Sequence, residues 1–177
     1  MKSQSTPHRI SVRTLTCAAM LTALSIVIGI FCKNFLNFGQ GLFRITFENL
    51  PIILSGMLFG PVTGALVGIA SDLISYLLSS QVYPPNLIVT AGAAAVGLVS
   101  GLVARLVRRE GNVRIVLSAA CAHIVGSMII KTVGLYQFYG MLVLWRIPLY
   151  LVIASLEIPI LCHLFRKGVF RKLTETV

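Results

Sequence analysis

The sequence predicts an all-α fold, a polytopic membrane bundle of six transmembrane helices with both termini in the cytoplasm. Three observations predict it. Only 11% of the 177 residues are charged and 56% are hydrophobic, whereas a water-soluble domain carries about 25% charged residues. The apolar residues run in stretches close to the ~20 residues that cross a hydrocarbon core. The basic residues gather between alternate stretches, as cytoplasmic loops require.

The first run is Leu15–Phe31, which ends at the polar break of Lys33, Asn34 and Asn37. Leu50–Phe59 and Val62–Leu78 follow, separated by Gly60–Pro61; the first of these is short enough to be tilted or only partly membrane-buried. Leu87–Val107, Ile115–Leu135 and Ile147–Phe165 complete the six. These runs are too long for strands and lack strand alternation. Helices also satisfy every backbone donor within one segment, which hydrocarbon demands. One integral membrane domain, 1–177, accommodates all of this, with cytoplasmic tails at 1–13 and 166–177. Residues 1–31 lack a small-x-small cleavage site, so the first run is read as a span and not as a signal peptide. Cys17, Cys32, Cys121 and Cys162 lie in apolar stretches without CxxC spacing and read as small packing residues.

The formal net charge is +10, which invites a nucleic-acid reading, but the positions argue for topology. Lys2, Arg9 and Arg13 precede the first span; Arg105, Arg108, Arg109 and Arg114 lie between the fourth and fifth; Arg166, Lys167, Arg171 and Lys172 follow the sixth. With six spans all of these fall on one side, the cytoplasmic face by the positive-inside rule, where they also meet anionic lipid. The other four basic residues, Lys33, Arg44, Lys131 and Arg146, fall near the outer ends of the spans. Snorkelling explains any one of them. Four on one rim point to a substrate path.

Aromatic residues share the bias. Phe31, Phe35, Phe38, Phe43, Phe47, Tyr76, Tyr83, Tyr136, Phe138, Tyr139, Trp145 and Tyr150 lie in the outer half or its loops. An interfacial belt decorates both faces, so a one-sided set suggests an outward pocket with flat apolar walls. Together the two biases favour an aromatic, anionic ligand taken from outside. Connections 37–47, 79–86 and 136–146 would close over it, since binding residues concentrate on loops held by a rigid scaffold.

Gly56, Gly60, Gly64 and Gly68 recur every four residues, as do Ala93, Gly97 and Gly101. Small residues at this spacing let helices approach closely in lipid. Pro61 interrupts the first series, which puts Gly60 in a turn. Ala19 and Ala23 repeat the motif on the first span, either for contact inside the bundle or as a docking surface for another membrane subunit. Glu48, Asp72 and Glu157 are the carboxylates in or near spans, and ion pairing to Lys33, Lys131 or Arg146 is their first reading. A ligand amino group hydrogen-bonded by Asp72 is the second. His123 and His163 stand alone in sequence, and a lone membrane histidine is more often a helix–helix hydrogen-bonder than a proton relay. With no GxxxxGK[ST] motif, ATP dependence would come from partners.

The basic-flanked first span with Ala19-x-x-x-Ala23, the Arg44-Ile-Thr-Phe-Glu48-Asn-Leu-Pro51 stretch, and the Phe59-Gly-Pro61 turn leading into Gly64-x-x-x-Gly68-x-x-x-Asp72 together resemble the S components of energy-coupling factor (ECF) vitamin transporters. The Tyr83-Pro84-Pro85-Asn86 loop and the six-helix layout look most like the folate-specific branch, over residues 10–170. The resemblance implies a substrate-binding subunit that is not itself an enzyme, sits in a prokaryotic plasma membrane and works with a transmembrane coupling protein and two ATPases. It implies docking through Ala19 and Ala23, and no cofactor beyond the transported folate. The candidate ligand residues are then Lys33, Arg44, Lys131 and Arg146 for carboxylates or pterin oxygens, Tyr83, Tyr136, Tyr139 and Trp145 for stacking, and Asn86 for the pterin edge. Four outer cations suit folate's two carboxylates, which pair well with arginine. Riboflavin is neutral, thiamin is a cation, and pantothenate and biotin lack an extended ring system. A riboflavin S component remains the alternative within the class. A stand-alone ion-coupled carrier using Glu157 and Asp72 is the alternative outside it. A membrane enzyme comes last, for want of a recognisable nucleophile or metal set.

Overall fold

A computed structural model describes residues 12–38, 43–78, 86–107 and 111–166. In it the apolar runs are helices. α1 (Val12–Phe35), α2 (Asn49–Phe59), α3 (Pro61–Leu78) and α4 (Leu87–Leu106) come first. They are followed by α5 (Asn112–Ala122), a π-helical stretch (His123–Lys131), α6 (Thr132–Tyr139), a 3-10 stretch (Gly140–Trp145) and α7 (Arg146–Arg166). Among the described residues the strands are two dipeptides, β1 (Asn37–Phe38) and β2 (Phe43–Arg44), paired antiparallel with Asn37 opposite Arg44. Four helical runs are long and apolar enough to cross a membrane: α1, α3, α4 and the continuous stretch Asn112–Arg166. Extended, that last run would measure about 80 Å. It folds back at Gly140, whose φ is +55°, so that α7 packs on α5 and the π-helical stretch.

One expectation needs correcting. Residues 136–146, read as a loop, are helical throughout, as α6 and then the 3-10 stretch. Met141, Leu142, Val143 and Leu144 form an apolar run with no proline before Pro148, and Val143 is buried. The tight 3-10 winding carries that run across the top of the bundle without opening into irregular chain.

α2 occupies the centre. Pro51 through Met57 are all buried, as befits a helix that is apolar on every side. Its 11 residues reach about 16 Å, half of a hydrocarbon core ~30 Å thick. Gly60 turns the chain from α2 into α3 with φ +98°, and Pro61 opens α3, where its missing N–H costs nothing. α4 then runs antiparallel to α3 at backbone contact. A Cβ on Gly97 would overlap the Gly64 carbonyl, and one on Gly68 would overlap that of Ala93. Gly56 meets Gly97 and Ser100 in the same way. The four-residue glycine series is therefore the seam of α2, α3 and α4.

These directions give the bundle two ends. One carries the start of α1, Gly60 and the end of α4, with Arg13, Arg105, Arg114 and Arg166. The other carries the β1–β2 pair, Asn86 and Gly140, with Lys33, Lys131 and Arg146 toward it.

Candidate ligand-binding site

Because α2 is short, its first residues stand at mid-depth and place polar groups inside the bundle. Asn49 is buried; its Nδ2 donates to Ser127 Oγ at 3.2 Å and its Oδ1 accepts from Lys131 Nζ at 3.0 Å. Lys131 Nζ lies 3.5 Å from Glu48 Oε1. The lysine is only 5% exposed, and its stem passes over Gly92, where a Cβ would strike it. Ser25 Oγ donates to the Glu48 carbonyl at 2.8 Å, Thr90 Oγ1 to Asp72 Oδ2 at 2.7 Å, and Lys33 Nζ to the Ser75 carbonyl at 3.3 Å. Ser25, Glu48, Ile52, Ser71, Asp72, Ser75 and Ala93 enclose a cavity of about 10 Å³, room for one water-sized group.

Arg146 starts α7 and is only 3% exposed. Its Cζ lies 5.6 Å from the centroid of the Tyr150 ring. Its Nε and Nη1 have no hydrogen-bond partner among the described residues. Burying an ion costs several kcal/mol unless a counter-charge answers it, and a cation over a desolvated ring returns only about 2 kcal/mol. The guanidinium is thus short of an anion.

The predicted residues divide accordingly. Lys33 and Lys131 join the polar cluster with Glu48, Asn49 and Ser75. The pairing of Glu48 with Lys131 is among those the sequence suggested. Asn86 caps α4 by accepting from Ile88 N at 2.9 Å and donates to the Gly134 carbonyl at 2.5 Å, so its amide ties α4 to α6. Tyr136 and Trp145 are 51% and 66% exposed, on the outside of the bundle, and Tyr139 is half-buried. Arg44 lies in β2, but its side chain, like the whole of Tyr83, is outside the described residues. Ala19 and Ala23 are exposed among the described residues. Sequence reasoning passed over Ser25, Asn49, Ser71, Thr90 and Ser127. Ser25, Thr90 and Ser127 signalled themselves only as lone polar residues in apolar runs, and Asn49 and Ser71 only as neighbours of Glu48 and Asp72.

His123, alone in the sequence, meets a partner on another helix, as a lone membrane histidine is expected to do. Its Nε2 lies 2.7 Å from Glu157 Oε2, with both side chains fully buried. The pair joins the π-helical stretch to α7 near mid-bundle, eleven residues from either helix start. Hydrogen-bonded pairs between membrane helices contribute about 0.6 kcal/mol on average and up to ~1.7. Since neither group meets water, a double-mutant cycle of His123→Leu and Glu157→Leu is expected to give a coupling near the top of that range, about 1.7 kcal/mol. Unfolding in detergent measures it, and a value near the membrane average would mean the pair is replaceable.

A helical membrane bundle with a buried polar site defines a class that binds a solute within the bilayer. The model of the ECF transporter substrate-specific component matches residues 13–170, and the chain belongs to that family. The folate transporter FolT of Clostridium novyi (strain NT) is 32% identical over 75 residues, 42% of this chain. The match spans 44% of that relative's length. The crystal structure of FolT bound with folic acid has the same fold, with a TM-score of 0.62 at 22% identity, covering 85% of this chain and 88% of that one.

Proposed function

We propose that this chain is the folate-capturing S component of an ECF importer, crossing the membrane six times with both termini in the cytoplasm. α1, α2, α3, α4, the run Asn112–Tyr139 and α7 make six traverses, and an even number returns the chain to its starting side. Arg13, Arg105, Arg114 and Arg166 mark that side as cytoplasmic. The opposite end, with the polar cluster beneath it, then faces out. The observation that carries the ligand assignment is Arg146, a buried guanidinium with unanswered N–H groups of the kind that pairs with a carboxylate. Folate brings two carboxylates and a flat pterin; the FolT likeness supports the same choice. Energy would come from a coupling protein and two ATPases, with the exposed Ala19–Ala23 face of α1 as the docking surface, where small side chains allow a partner helix close approach.

Titration of folate into the purified protein in detergent is expected to show saturable binding at or below micromolar concentration, with riboflavin giving none. A yellow chromophore that copurifies, or silence toward folate at micromolar concentration, would eliminate the folate assignment.

A further inference from the structure

Cations at the outward end answer a ligand's carboxylates, yet the cavity between α1, α2, α3 and α4 draws its polar lining from residues that can accept. Glu48, Asp72, Ser25, Ser71 and Ser75 border it, beside the apolar Ile52 and Ala93. Glu48 is committed to Lys131. Asp72 receives one hydrogen bond among the described residues, from Thr90 to Oδ2. Ser71 is 3% exposed and its Oγ has no hydrogen-bond partner among the described residues. A buried polar atom left unsatisfied is a defect unless something supplies the missing bond. Adjacent on α3, Ser71 and Asp72 thus present acceptor capacity to a space of about 10 Å³. A space of that size takes one water-sized group.

An amino group on the edge of an aromatic ring has that size and offers two N–H donors. Resting on the folate reading above, we propose that the cavity receives the exocyclic 2-amino group of the 2-amino-4-oxopteridine head, with Asp72 and Ser71 accepting its hydrogens. The ring lies on the outward side of the cavity, and the carboxylate tail extends toward Arg146. This pocket selects for the amino group; Arg146 holds the tail. The polarity of each end matches what it meets, since a hydrogen bond to a charged acceptor is stronger than one between neutral groups.

The test compares folate with its 2-desamino-2-methyl analogue on wild-type, Asp72→Asn and Ser71→Ala proteins in detergent. Wild type is expected to prefer folate by roughly tenfold to a hundredfold, the range for one hydrogen bond to a charged group. Asp72→Asn should lose most of that preference, weakening folate while leaving the analogue's affinity unchanged. Ser71→Ala, a smaller change in the same wall, should lose part of it. Equal binding of both ligands by wild type overturns the amino-group pocket and leaves the folate assignment intact. So does an Asp72→Asn protein weakened equally toward both, which would mean the carboxylate acts through Thr90 on the fold. Wild type that binds neither ligand overturns the folate assignment itself.

Discussion

Gly97→Val is expected to leave little folded protein in the membrane. The first added carbon would overlap the Gly64 carbonyl, and that atom belongs to a helix backbone which cannot rotate aside as a side chain does. α3 and α4 would have to separate along the seam that Gly56, Gly64, Gly68 and Gly101 share. Ordinary overpacking of a core costs about 1–3 kcal/mol. Backbone against backbone should exceed that range, because lipid offers no hydrophobic drive to push the helices back together. The check is yield and thermal unfolding in detergent beside Leu98→Val, one residue along on an exposed face, which should stay within about 0.5 kcal/mol of wild type. A Gly97→Val protein as stable as that control would show the seam to be looser than its geometry.

Arg146→Met should act in opposite directions on binding and on stability. Methionine preserves most of the volume and removes the charge. If the guanidinium holds a ligand carboxylate, its loss costs about 2–5 kcal/mol of affinity, a fall in binding of roughly 30-fold or more. The ligand-free protein should become more stable, since the variant removes an ion whose Nε and Nη1 go unanswered. Desolvation of several kcal/mol per ion outweighs about 2 kcal/mol from the Tyr150 ring. Binding isotherms and melting curves of the same preparations separate the roles. A variant that melts lower and binds folate normally would make Arg146 a structural residue.

The helices were legible because hydrocarbon imposes a length, and each run from Leu15–Phe31 to Ile147–Phe165 matches a helix or helical run that the fold shows, Leu87–Val107 overshooting α4 by one residue. The glycine seam was legible too, since a four-residue period of small residues has few other uses. The site was only half readable. Lys131 and Arg146 stood out because a charge in an apolar run is conspicuous. What they would meet was hidden, because Ser71 with Asp72, Asn49 with Ser127 and His123 with Glu157 come together through helix packing, which periodicity does not encode. The aromatic bias misled in part. It treated side as depth, and Tyr136 and Trp145 share the outward end but look away from the interior. The π-helical stretch carries no composition that sets it apart from α-helix, so its turn toward Asn49 had to be seen.

The brevity of α2 also constrains how a solute reaches the interior. Residues 45–47 lead into it as irregular chain, tied to the end of α1 by Ile45 N donating to the Leu36 carbonyl at 3.2 Å, beside helices long and apolar enough to cross hydrocarbon. Irregular backbone survives within hydrocarbon only when protein encloses it or water reaches it. A gap opened sideways, between α1 and α3, would lay those peptide groups against acyl chains. On the six-span reading proposed above, the route inward would run down the bundle axis from the aqueous phase and not sideways from the bilayer.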